Sequence, residues 1–142
     1  MSLRLSLQNF ARGAAVTAPA SFPGYPSSAL VDGLLAVPYR GLTAAATWSF
    51  DVDIGTAQAV DFLALFDLRV LTAGVGVSSV MAYHLSTGFP ITAGTLALNV
   101  RGDGSVALPV PIVERKWRIV VALSAPGVIH MGEVWVGRYR DC

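Results

Sequence analysis

Apolar and polar positions alternate with a period of two along several stretches of this chain. Trp48, Phe50, Val52 and Ile54 are separated by Ser49, Asp51 and Asp53, which places aromatic and branched side chains on one strand face and carboxylates on the other. Leu3, Leu5 and Leu7 stand against Arg4, Ser6 and Gln8 in the same way, and Leu96, Leu98 and Val100 against Ala97, Asn99 and Arg101. Trp117, Ile119, Val121 and Leu123 predict a further strand facing the core, with Arg118 facing out. In the strand over residues 128–136, His130 falls on the face opposite Ile129, Met131 and Trp135 and reads as structural. Residues 57–71 are apolar almost throughout. A helix there would be hydrophobic on every side, whereas a strand buried on both faces needs no special arrangement, and we read it as a strand. The 14 Gly and 8 Pro are spread between these runs, as short strands joined by turns require. Residues 21–28 read as a loop, and Gly102-Asp103-Gly104 as the turn of a hairpin. The pattern is all-β.

Three segments in this order carry a resemblance: Leu30-Val31-Asp32-Gly33, Trp48-Ser49-Phe50-Asp51-Val52-Asp53-Ile54-Gly55, and Gly132-Glu133-Val134-Trp135-Val136-Gly137. They resemble the discoidin, or galactose-binding-like, family, in which an L-x-D-G turn precedes a W-x-x-x-D-x-G strand and an E-x-x-V-G strand closes the domain. The resemblance covers residues 14–137 and implies an antiparallel β-sandwich of jelly-roll type. Residues 1–13 are then an N-terminal arm or edge strand, and 138–142 a C-terminal tail.

Composition bears on what surrounds such a sandwich. The 142 residues are 54% hydrophobic and only 13% charged, against about 25% charged in an ordinary soluble domain. Asp, Arg, Gly and Pro recur too often for the ~18 uninterrupted apolar residues of a spanning helix, and the alternating start lacks the apolar block of a signal peptide. We read the apolar excess as subunit interface and expect a homo-oligomer. Net charge is +1 with scattered basic residues, which excludes the electrostatic footprint of a nucleic-acid binder. The single cysteine, Cys142, gives no intrachain disulfide.

Candidate chemistry is sparse. The sequence has no H-E-x-x-H, no paired Cys ligands, no Gly-rich phosphate loop and no G-x-S-x-G, so neither a metal site nor an enzyme is expected. Carbohydrate-binding members of the family often follow the Asp-Gly turn with acidic and Thr residues that help hold calcium. Here Asp32-Gly33 runs into Leu34-Leu35-Ala36-Val37-Pro38, which lacks the side-chain oxygens that a calcium site of about six to eight ligands needs. No cofactor is expected. Asp51 and Asp53 read as solvent-face carboxylates relieved by exposure or a neighbouring Arg, and Glu133 as architectural.

The likeness that matters for function is to small discoidin-like proteins of tailed-phage structural modules. These share Gly-Tyr-Pro-x-x-x-Leu, here Gly24 to Leu30; A-V-D-x-x-A-L-F, here Ala59 to Phe66; and a G-E-x-x-V-G ending. The resemblance implies a non-enzymatic virion component of tail, baseplate or capsid decoration, assembled in the host cytoplasm and bound to other virion proteins. Leu3, Leu5 and Leu7 are the expected assembly arm, and Phe89 an apolar plug. The alternative is a carbohydrate-binding module for a host surface glycan. For that function the family analogy places the site among loops at one end of the sandwich, where Tyr39, Arg40, His84 and Arg101 are the candidate contacts.

Overall fold

The computed structural model describes residues 5–33 and 38–141. These form the strands β1 (Leu5–Asn9), β2 (Ala15–Thr17), β3 (Tyr39–Leu42), β4 (Thr47–Phe66), β5 (Arg69–Val70), β6 (Val77–Ser86), β7 (Phe89–Thr95), β8 (Ala97–Leu98), β9 (Gly104–Leu123), β10 (Val128–Met131) and β11 (Glu133–Asp141). The only helical segment among the described residues is a 3-10 turn, Ser27–Val31. All strand pairs are antiparallel. The larger sheet runs β1-β11-β4-β9-β6-β7, with β2 beside β4 and β8 beside β9, and the smaller runs β3-β10-β5.

The β4–β9 ribbon organises the larger sheet. Each strand has 20 residues, several times the common length, and they pair from Thr47↔Ala122 to Leu65↔Gly104. The ladder is interrupted between Asp53 and Gln58 and again between Val60 and Phe62. At the first interruption Gly55 takes φ +90°, a conformation open to glycine without a Cβ clash. On one side of these bulges β4 pairs with β2, on the other with β11. Bulges are where sandwich strands turn corners and change neighbours.

Both sheets cover one core. Trp48, Phe50 and Val52 of β4 and Trp117, Ile119 and Val121 of β9 meet Tyr39, Ile129 and Met131 of the smaller sheet. Burying each large apolar side chain contributes about 1.5–3 kcal/mol. The architecture is an antiparallel β-sandwich, and the inward sets of β4 and β9 are those the alternation predicts, with Ile54 only partly buried.

Three local expectations need correction. Residues 96–101 do not form one strand: β8 stops at Leu98, and Asn99 Oδ1 accepts the amides of Arg101 and Asp103 at 2.9 and 3.0 Å, which closes the turn and leaves Val100 in solvent. The strand expected over 57–71 ends at Phe66 and resumes as β5 in the other sheet, because Asp67 takes a left-handed φ of 57°. The alternation of β10 does not carry into β11. Gly132 lies between them and shifts the phase, so Val134 and Val136 face the core while Trp135 packs outside on Phe66, ring centroids 5.8 Å apart. Residues Leu5–Asn9 pair with β11 of the same chain. Leu3, the Leu34-to-Val37 segment and Cys142 lie outside the described residues.

Candidate functional site

On β10, Ile129 and Met131 are buried in the core, so Val128 and His130 alternate to the other face. The same holds on β3, where Tyr39 is buried and Arg40 and Leu42 alternate with it. Register then places Arg40, His130 and Arg69 side by side across the three strands of the smaller sheet. Asp67, two residues before Arg69, completes the row.

The bonding within this row is continuous. Arg40 Nε donates to His130 Nδ1 at 3.0 Å. His130 Nε2 lies 2.8 Å from Asp67 Oδ2, and Asp67 Oδ1 accepts from Arg69 Nε at 2.7 Å. Because Arg40 has only donors, Nδ1 must be the acceptor, and the proton sits on Nε2, where Asp67 takes it. His130 in this state is the neutral Nε2–H tautomer. Arg69 NH2 also approaches Nε2, at 3.1 Å. The assembly leaves His130 only 3% exposed.

Two loops position the row. In the 21–28 loop the Phe22 amide donates to the Arg40 carbonyl at 2.9 Å, and the Arg40 guanidinium lies 4.7 Å from the Tyr25 ring centre, within 3.4 Å of its hydroxyl. The Phe22 side chain, in the same loop, is exposed. At the other end of the row, Asp103 Oδ1 accepts the Asp67 amide at 2.9 Å and the Gly102 carbonyl accepts that of Leu68 at 2.9 Å, so the 99–103 turn holds the left-handed Asp67 in place. Burial works to raise the Asp67 pKa, but the hydrogen bonds from His130 and Arg69 outweigh it and hold the carboxyl below its ordinary value. The arrangement offers guanidinium donors and a carboxylate, with an exposed aromatic residue in the loop bonded to Arg40, a set of groups suited to hydroxyl-rich ligands.

The structure distributes the four expected glycan contacts unequally. Arg40 lies in the row, and Arg101 is exposed on the turn that supports it. Tyr39 is a core residue and offers no face for stacking: its ring stacks on Trp48 at 5.2 Å, its hydroxyl donates to the Pro19 carbonyl at 3.2 Å, and burial pushes its pKa up. His84 belongs to a different set on β6, with Nδ1 3.3 Å from Glu114 Oε2 and its ring 5.9 Å from Trp117. Phe22, Tyr25, Asp67, Arg69 and His130 are candidate residues outside those four, and His130, read from the sequence as structural, has three side-chain partners. The D-x-R step after an apolar strand, which puts Asp67 and Arg69 on one face, was the available signal.

Elsewhere the outward carboxylates Asp51 and Asp53 are each gripped by an arginine, Arg118 at 2.7 and 3.0 Å and Arg115 at 2.6 and 2.8 Å. Glu133 is buried near Asp32 and Arg12. Burial and the Asp32 charge raise its pKa against the opposing pull of the Arg12 charge. No group of three or more His, Cys, Asp or Glu placed to hold a metal occurs among the described residues.

No protein-family model and no curated protein matches the sequence. Solved structures do. The family 32 CBM from C. perfringens NanJ in complex with galactose superposes with a TM-score of 0.72 at 18% identity, covering 95% of this chain and 100% of that one. The lectin domain of Lectinolysin complexed with Lewis B antigen gives 0.74 at 17% identity, covering 92% and 96%. SpGH29 gives 0.75 at 18%, covering 94% of this chain but 28% of that longer one. At such identities the likeness establishes architecture alone, and the architecture, an antiparallel β-sandwich, is the one these modules share.

Proposed function

We propose that this chain is a non-catalytic carbohydrate-binding module that takes its ligand at the Arg40–His130–Asp67–Arg69 row, with Phe22 as the stacking surface. The observation that carries this reading is the convergence, on one sheet face, of charged hydrogen-bonding groups locked by mutual bonds, with the loop that carries the exposed Phe22 tied to Arg40. Preorganised donors of this kind bind hydroxyls with little ordering cost. That similar folds are known in complex with galactose and Lewis b supports it. A glycan array probed with the purified chain tests it: binding to at least one glycan, lost in Arg69→Gln, is expected. Silence across the array would overturn it.

The second reading, a virion component acting through protein contacts, has one observation in its favour. Phe89, 73% exposed, and Ile91 project from β7, which ends the strand order of the larger sheet and so carries an open edge. The similar structures named above lend it no support.

A further inference from the structure

The face that carries the polar row also carries an apolar one. Two residues along β10 from His130 lies Val128, paired with Leu42 of β3, and its carbonyl accepts the Leu71 amide just after β5. Leu42 is 61% exposed and Leu71 44%. The two rows are therefore about 7 Å apart, the two-residue spacing of a strand. One is charged and the other is a strip of leucine.

The charged row is unbalanced in a particular way. Both oxygens of Asp67 are engaged, by Arg69 and His130, and Asp103 spends Oδ1 on the Asp67 amide. The described bonds of Arg40 go instead to neutral atoms, His130 Nδ1 and the Tyr25 hydroxyl. The row thus holds two guanidiniums and one carboxylate, and that carboxylate is paired with Arg69. A fixed guanidinium whose donors meet only neutral partners is a ready fork for an oxyanion.

We propose that the preferred ligand is an acidic glycan, whose oxyanion substituent, carboxylate or sulfate, is taken by Arg40 while a C–H-rich part of the sugar rests on the Leu42–Val128–Leu71 strip. This rests on the row being a glycan site and adds the class of glycan. A neutral sugar would satisfy hydroxyl contacts but leave the Arg40 charge unmatched.

Calorimetric titration with galactose, galacturonate and galactose 6-sulfate tests it. An acidic sugar is expected to bind about tenfold tighter than galactose, with the advantage shrinking as salt rises and disappearing in Arg40→Gln. Leu42→Glu, at an exposed position that leaves the core untouched, is expected to weaken the acidic ligand selectively. Preference for galacturonate alone assigns a carboxylate, and preference for the sulfate ester alone a sulfate; either supports the proposal. Equal or tighter binding of galactose overturns it while leaving the carbohydrate reading intact, and no binding of any sugar here or on the array overturns both.

Discussion

His130 is held by a geometry that favours one tautomer of its ring. Its Nδ1 faces a guanidinium donor at 3.0 Å and its Nε2 faces a carboxylate at 2.8 Å, so a second proton would set two donors against each other at Nδ1. Nitrogen-15 NMR should find the Nε2–H tautomer. The pH dependence of the row is carried by Asp67. Its folded pKa is depressed, so the stability it contributes is present above the unfolded carboxylate value and is lost as pH falls through the folded one. Asp67→Asn is expected to flatten the acid limb of a pH-dependent melting curve, checked by thermal denaturation across the carboxylate range. None of this was legible from the histidine's neighbours in the sequence. Arg40, Asp67 and His130 come from three separate parts of the chain, and only strand register makes them adjacent. Tyr39 misled for the converse reason: its aromatic character said nothing about which face of β3 it would occupy, and Arg40 took the outer one.

At the scale of elements, the 99–103 turn acts as a buttress. Gly102 sits at φ +84°, and a Cβ there would run into the Leu68 carbonyl oxygen, in the segment joining Asp67 to Arg69. Gly102→Ala is therefore expected to cost at least about 1–3 kcal/mol of stability, the usual scale of backbone strain, and to weaken ligand binding by displacing Asp67. Chemical denaturation and titration on the same sample separate the two effects. Strands with clean alternation, β4 before its bulge and the second half of β9, were legible because one face is buried and the other solvated. Where elements broke, the period-two rule failed for physical reasons. Asn99 traded a strand for side-chain bonds to its own turn, and Gly132 shifted the phase between β10 and β11, so that Trp135 left the core.

Across the whole molecule, low charge content is met partly by a single core drawing on both sheets and partly by apolar side chains left outside, Phe89, Ile91, Val110 and Val113 among them. If the open edge of β7 joins copies, light scattering after size exclusion should give a mass above 14.9 kDa that falls to the monomer value in Phe89→Ser; an unchanged monomer in both proteins removes the support β7 gives to assembly. Glu133 bears on global stability with the opposite sign to Asp67. Its raised pKa means that the folded state holds its proton more tightly than the unfolded one, so stability falls as pH rises between the two values. Glu133→Gln should melt at an equal or higher temperature than the parent at pH 7, with the difference narrowing in acid.

The pairing of β1 with β11 has a consequence for how the protein is made. Leu5–Asn9 leaves the ribosome well before Glu133–Asp141, yet these two segments are neighbours in the finished sheet. Until β11 emerges, β1 must wait without its partner strand, and the long β4 likewise waits for β9. Completion of this sandwich thus waits for β11, and the growing chain meets its greatest risk of mispairing, and its greatest need of chaperones, just before that strand emerges.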